Sequence, residues 1–145
     1  MKKTVSFLGR IAALMAISVV MFVGFSSCQK EESDYRQTFA GTYTGNETWA
    51  NQGIQQTQAI TLNVVPSTVY ADRIVITSTF YKWPLTEIFE AVVSKDGNFS
   101  GTFTSNIDGY STIINVNNGR FVGNKLTYNY SAQDYVTCSV DVTKM

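Results

Sequence analysis

The side chains best suited to chemistry in this chain are a few carboxylates and one cysteine, because the sequence contains no histidine. Nucleophilic catalysis needs a Ser, Cys or Thr beside a base, and histidine is the usual base. Glu87 and Glu90 could form a pair of the kind that cleaves glycosides. Their odd spacing on a β-strand sends them to opposite faces, so we interpret both as outward or edge charges. The other carboxylates, Glu47 among them, cannot be paired from the sequence. We predict no catalytic residue and expect that the protein is not an enzyme.

Cys138 alternates with three valines, so we predict a small core residue rather than a reactive thiol. The shared face carries Val136, Cys138, Val140 and Val142. A zinc site draws several ligands from Cys and His, and one thiol cannot build it. The segment 106–109 (NIDG) is too sparse for a calcium loop. We therefore predict neither a metal site nor a cofactor.

The two tryptophans are the clearest candidates for ligand contacts. Trp49 lies in the polar segment 47–56 and Trp83 in the segment 81–86, and we predict both segments as loops. Aromatic side chains at the mouth of a barrel can stack on sugar rings or cover an apolar ligand, or they can simply form a hydrophobic lid. Tyr81 and Tyr110 adjoin loops at the same predicted end. The predicted ligand-binding residues are therefore Trp49, Tyr81, Trp83 and Tyr110.

The first 27 residues read as a secretory signal peptide. Basic residues precede a short apolar core, 11–25, which is shorter than the ~20 residues that a membrane-spanning helix needs. The sequence Phe25-Ser26-Ser27-Cys28 resembles a bacterial lipobox. That resemblance implies cleavage before Cys28 and a diacylglyceryl group on its sulfur, which would anchor the protein in a membrane.

The residues after Cys28 predict where the anchored protein resides. The segment 29–32 (QKEE) resembles the short acidic export tag of surface lipoproteins in Bacteroidota-type bacteria. We expect an outer-membrane lipoprotein that is either surface-exposed or faces the periplasm. Residues 28–37 read as a lipidated tether, because they are polar and lack a periodic pattern.

The charge of the mature chain argues against binding to nucleic acid. Three of the 11 basic residues lie in the leader, and all 11 acidic residues follow it. The mature chain therefore has 8 basic and 11 acidic side chains, and its net charge is −3. No cluster of Lys or Arg remains to contact phosphates. With Cys28 lipidated, Cys138 has no intrachain partner, and the domain must be stable without a disulfide.

The sequence pattern of residues 38–145 predicts an all-β domain built from about eight antiparallel strands. Thr, Val, Ile, Tyr and Phe dominate, and they alternate with a period of two. An open meander would leave two unpaired edges, and closure into an up-and-down barrel removes them. A two-sheet sandwich is the alternative, although no long connection suggests its crossovers. We predict strands at 38–46, 57–65, 69–80, 87–95, 98–105, 110–117, 120–131 and 134–143.

The predicted links differ between the two ends of the barrel. One end has tight turns at 66–68, at Asp96-Gly97 and at Asn118-Gly119, and we expect a bulge at Gly123-Asn124. The other end has the long link 47–56 and the aromatic link 81–86. Binding groups usually lie on irregular loops held by a rigid scaffold, so we expect a ligand at this second end.

Short motifs resemble those of lipocalin-like (calycin-like) barrels. The segment 39–45 (FAGTYTG) is similar to the first strand of that family, which carries Gly-x-Trp or Gly-x-Tyr. The segments 99–103 (FSGTF) and 119–126 (GRFVGNKL) are similar to lipocalin-like lipoproteins of gut Bacteroidota. The resemblance implies a lipocalin-like barrel whose aromatic side chain closes the floor.

Two functions remain open at this point. The first is a lipid-anchored, non-catalytic binding module for a small apolar or glycan ligand. The second is a protein-interaction subunit or inhibitor of the cell envelope. The barrel interior distinguishes them, because a wide apolar cavity would favour the first function and a filled core the second. The residues expected to fill it are Phe39, Tyr43, Phe99, Phe103 and Tyr128.

Overall fold

The computed structural model describes residues 33–81, 86–107, 110–132 and 136–145. Residues Asp34–Met145 form one compact unit. A short 3₁₀ helix, η1 (Tyr35–Thr38), precedes eight strands. These are β1 (Gly41–Asn51), β2 (Ile54–Pro66), β3 (Arg73–Phe80), β4 (Thr86–Val93), β5 (Asn98–Ile107), β6 (Tyr110–Val122), β7 (Lys125–Ala132) and β8 (Val136–Lys144).

The eight strands close into an antiparallel up-and-down barrel, as the sequence predicted. Each strand pairs with its neighbours in the chain, and β1 also pairs with β8 through a register that includes Gly45 opposite Val142. Closure satisfies the backbone groups that an open sheet would leave at its edges. The predicted inward faces are confirmed, since Ile60, Leu62 and Val64 are fully buried on β2.

The predicted long link 47–56 is wrong. These residues extend β1 and β2, which pair as far as Asn51 opposite Ile54. Only Gln52 and Gly53 connect the strands, and both have positive φ, 46° and 83°. Two such residues form the tight turn that suits the twist of a hairpin. The segment is easily taken for a loop because both of its faces carry polar residues: Glu47 and Gln56 lie on the face of Trp49, and Thr48 and Gln55 lie on the other.

The turn and the bulge predicted between β6 and β7 are exchanged. The turn is at Gly123 and Asn124, whereas Asn118 and Gly119 form an irregularity inside β6. Asn118 has a φ of 54°, and a Cβ added to Gly119 would lie 2.5 Å from the ring of Phe99. Gly119 therefore permits the close approach of that ring, which a sequence pattern does not reveal.

The predicted contrast in loop length between the two ends is also wrong. The link between β2 and β3 spans 67–72, six residues at the end predicted to be tight. The link between β4 and β5 spans 94–97, and only Gly97 has a positive φ, so this is not the two-residue turn predicted at Asp96-Gly97.

Helix η1 covers one end of the barrel, which we call the capped end. Arg36 donates hydrogen bonds to the carbonyls of Ser67 and Arg73, each at 3.0 Å, and to that of Tyr70. Its guanidinium is also paired with Asp34 at 2.7 Å. Residues 35–37, predicted as tether, thus belong to the folded unit.

Aromatic rings fill the half of the barrel next to the cap. Phe39 stacks on Phe121 with 4.6 Å between ring centroids, and Phe121 contacts Phe99 at 5.2 Å. Further along the barrel, Phe89 stacks on Phe103 at 5.1 Å. The aromatic residues that the sequence predicted to fill the interior are buried or packed against the core, namely Phe39, Tyr43, Phe99, Phe103 and Tyr128. This half of the interior is therefore a packed core.

Candidate functional site

A ring of polar side chains lies in the other half of the barrel, toward the end we call the distal end. Each strand contributes one residue from its inward face, and we call this set the polar ring. Three cross-strand pairs belong to it: Glu47 with Gln58, Ser78 with Glu87, and Tyr130 with Cys138. Ser105 and Thr112, which are paired between β5 and β6, complete it. Its members from β1 to β8 are Glu47, Gln58, Ser78, Glu87, Ser105, Thr112, Tyr130 and Cys138.

Glu47 is the most deeply placed charge among the described residues, with 3% of its surface exposed. Gln58 donates a hydrogen bond from Nε2 to Oε2 of Glu47 at 2.5 Å. The Tyr130 hydroxyl donates to the other oxygen, Oε1. The Oε1 atom of Gln58 is buried and has no hydrogen-bond partner. A buried acceptor without a hydrogen bond costs free energy. A donor that reaches this amide oxygen would therefore stabilise the site.

Glu87 occupies the ring from the side of β4. The Ser105 hydroxyl donates to its Oε1 at 2.6 Å. Burial raises the pKa of Glu87, the Ser105 hydrogen bond opposes this, and the neighbouring Glu47 carboxylate raises the pKa further. Glu90 lies on the outer face and pairs with Arg73 at 3.2 Å. The two residues do lie on opposite faces as predicted, but the outward placement predicted for Glu87 is wrong.

Tyr130 and Cys138 form the side of the ring that β7 and β8 provide. Cys138 is buried, with 7% exposed, as predicted for a core residue. Burial raises the pKa of its thiol to about 11, and raises the pKa of the Tyr130 hydroxyl as well. Both groups are therefore neutral near pH 7. Cys138 borders polar groups, so it is not surrounded by valines alone.

Trp49 is the one predicted ligand contact that the structure places next to the polar ring. It shares the inward face of β1 with Tyr43 and Glu47, and lies one step closer to the distal end. Its cross-strand neighbours are Gln56 on β2 and Cys138 on β8. Trp49 is half-buried on a strand, so its predicted position in a loop is wrong.

The other three predicted contacts do not join it. Tyr81 is 71% exposed, and its hydroxyl lies 3.1 Å from Oγ1 of Thr61 on the outer face of β2. It is thus on the outer wall and is not a contact of the interior. Trp83 lies outside the described residues. Tyr110 begins β6, and its side chain lies outside the described part as well.

The leader and its lipidation site, Cys28, also lie outside the described residues. Within the part that the structure describes, no helix combines the length and hydropathy needed to cross a membrane. The same part holds no group of three or more His, Cys, Asp or Glu side chains arranged for a metal ion.

Sequence reasoning missed most of the polar ring. A signal was present, because Glu47, Gln58 and Glu87 alternate in phase with inward apolar or aromatic residues of their strands. An inward polar residue on a strand is unusual enough to suggest a role. The signal could not be used for Glu47 while the segment 47–56 was predicted as a loop.

The arrangement places hydrogen-bonding groups next to an aromatic side chain. Carboxylates, an amide and hydroxyl groups converge above a packed apolar core, with Trp49 beside them. In comparisons with known proteins, no family model, no curated protein and no solved structure matches this chain.

Proposed function

We propose that this protein is a lipid-anchored, extracytoplasmic binding module that takes a small glycan into the distal half of a lipocalin-like barrel. The observation that carries the proposal is the polar ring, an inward layer with an unpartnered acceptor, Gln58 Oε1, on the strand that pairs with the strand of Trp49. Sugar hydroxyls donate and accept hydrogen bonds, and a sugar ring stacks on aromatic faces. A purely apolar ligand fits less well, because the apolar half of the interior is already filled by side chains.

The binding test compares two aromatic residues that differ in position. Trp49→Ala removes the aromatic group beside the polar ring, and Tyr81→Ala removes an exposed ring from the outer wall. Glycans are screened by calorimetry against residues 34–145, the unit that contains all eight strands and the core. We expect Trp49→Ala to weaken binding by about 1–3 kcal/mol and Tyr81→Ala to leave it unchanged. Equal losses for both variants, or none for Trp49→Ala, would move the site elsewhere.

Membrane anchoring is tested separately at Cys28. The motivating feature is the lipobox-like Phe25-Ser26-Ser27-Cys28 at the end of an apolar leader. Cys28→Ser should abolish incorporation of labelled fatty acid, whereas Cys138→Ser should not affect it. Unchanged labelling of Cys28→Ser would reject the anchor and leave the binding proposal standing.

A second candidate is a protein-interaction subunit or inhibitor of the envelope. The filled aromatic core favours it, because a packed interior leaves the outer wall and the ends for contacts. Ile88 on β4 and Ile113 on β6 are outward and 65% and 71% exposed. A glycan screen without any binding would favour this candidate.

A further inference from the structure

The polar ring contains more acceptors than donors. Each carboxylate offers about four lone-pair sites and no donor when ionised, and an amide oxygen offers about two more. The donors that reach the two carboxylates among the described residues are the Gln58 amide and the hydroxyl groups of Tyr130 and Ser105. The unpartnered Oε1 of Gln58 adds a further acceptor. What the ring lacks is a group with several donors.

The assignment of the Gln58 amide supports this count. If its oxygen and nitrogen were exchanged while Glu47 is ionised, the oxygen would face another acceptor, a carboxylate oxygen of Glu47, at 2.5 Å and no hydrogen bond could form. Nε2 must therefore face Glu47, which leaves Oε1 as the free atom. Gln58 is 7% exposed, so water outside the barrel does not satisfy this oxygen directly.

The ring also lacks a positive charge. The basic side chains that the structure describes lie at the capped end, in turns or on the outer wall, and none is a member of the ring. Arg73 pairs with Glu90 and Lys125 with Asp141, both on the outer face. Two carboxylates thus lie in one inward layer without a cation from the described residues; burial raises the pKa of Glu87, and the charge of Glu47 raises it further.

We infer that the ligand presents a protonated amine to Glu47, Glu87 and the free oxygen of Gln58. An ammonium group carries three donors and one positive charge, which matches the excess of acceptors and the uncompensated charge. Within the proposed function, on which this inference rests, the ligand is an amino sugar whose nitrogen is not acylated. A divalent cation fits less well, since the described part of the chain offers no set of three metal-binding side chains.

The test uses two sugars that differ only at the nitrogen. Chitosan tetrasaccharide carries free amines, and its fully N-acetylated counterpart carries neutral acetamides. Titration of the full chain, held in detergent, by calorimetry at about pH 6, where the sugar amines are protonated, should show the amine form binding about tenfold to hundredfold tighter, the range for a hydrogen bond to a charged group. The preference should shrink as the pH falls below the ordinary pKa of glutamate, because burial raises the pKa of Glu87 and its carboxyl group is then neutral. Tyr130 and Cys138, which also face the carboxylates, have raised pKa values and do not titrate in this window.

Variants locate the effect in the ring. Glu47→Gln and Glu87→Gln keep the side-chain shape and should each abolish most of the preference for the amine form. Asp141→Asn is the matched control, since Asp141 is exposed on the outer face of β8 and 3.3 Å from Lys125; it should retain the preference. The pH series on the unaltered protein reports on the same carboxylates if a variant does not fold.

The outcomes separate this inference from the proposed function. Equal affinity for the two sugars would overturn the amine and leave glycan binding intact. Binding of neither sugar, when another glycan of the screen does bind, would reject the amine alone, and the absence of binding in the whole screen would reject both. The protein could instead bind calcium and not the amine sugar, and lose calcium binding in Glu47→Gln and Glu87→Gln. That result would overturn the amine and mean that the ring binds a metal ion.

Discussion

A carboxylate inside a barrel needs hydrogen-bond donors, because burial disfavours its charged form. Among the described residues, Glu47 has two donors, the Gln58 amide and the Tyr130 hydroxyl, whereas the contact described for Glu87 is the hydroxyl of Ser105. Burial and the charge of Glu47 together raise the pKa of Glu87. At the scale of single residues, Glu87 is therefore the acidic group whose ionisation costs the folded protein stability.

The raised pKa predicts how the stability of a Glu87→Gln variant depends on pH. Below the ordinary pKa of glutamate, the residue is protonated in both the folded and the unfolded chain. As the pH rises, the unfolded chain ionises first, so the unaltered protein loses stability until the pH exceeds the folded pKa. Glu87→Gln lacks this loss. Urea unfolding should show the variant gaining stability relative to the unaltered protein as the pH rises above about 4, the ordinary pKa of glutamate. A relative loss over that range would mean that Glu87 is stabilised as an anion.

At the scale of elements, the irregularity in β6 is what adapts the barrel wall to its aromatic core. The pairing of β6 with β7 shifts between Asn117 and Arg120, and the pairing of β6 with β5 shifts near Phe99. Gly119 faces the Phe99 ring at this point, and Phe99 in turn contacts Phe121 and Tyr128. The bulge therefore lets β6 curve around the Phe99 ring, with which a regular strand would clash.

A methyl group at this bulge should destabilise the protein. In Gly119→Ala the added Cβ would lie 2.5–2.6 Å from three atoms of the Phe99 ring. Overpacking of this kind costs about 1–3 kcal/mol, measured as the free energy of unfolding in urea. Gly123→Asn is the control, because a Cβ there meets nothing within 4 Å and Asn tolerates the positive φ of the turn. If the control lost more stability than Gly119→Ala, the turn and the bulge would be misplaced.

The inward faces of the strands were predictable from the sequence, whereas their ends were not. The alternation of apolar and polar residues identifies Ile74 and Ile76 as inward, whatever the exact ends of the predicted strand. Asn118-Gly119 and Gly123-Asn124 both favour positive φ, and packing against Phe99, a residue of another strand, decides which of them forms the turn. Glu47 and Glu87 are 40 positions apart in the sequence, so only closure of the barrel brings them into one ring.

At the scale of the whole molecule, the two ends of the barrel have different roles. Helix η1 closes the capped end through Arg36 and through the stacking of Phe39 on Phe121. The Tyr35 hydroxyl also donates to the Val93 carbonyl at 2.9 Å. The polar ring lies in the other half. The packed half thus holds the apolar core, and the distal half holds the polar groups on which the proposed binding depends.

Two N-terminal truncations test the contribution of the cap. A chain that begins at Ala40 lacks η1 and Phe39, and we expect it to lose about 2–4 kcal/mol of unfolding free energy, the range for loss of a packed aromatic residue with its stacking. A chain that begins at Asp34 keeps the cap and should match the stability of one that begins at Gln29. Thermal unfolding followed by circular dichroism measures both. Equal stability of all three chains would show that the cap contributes nothing.

The central claim is that a polar ligand enters the distal half of the barrel and contacts the polar ring. The most direct test is to follow ¹H–¹⁵N correlation spectra of residues 34–145 during titration with chitosan tetrasaccharide. The account predicts the largest shift changes at the side-chain amide of Gln58 and the indole N–H of Trp49, with the backbone amides of Gly97 and Gly119 unchanged near the capped end. Changes confined to the capped end or to the outward residues Thr48 and Ser139 would contradict it.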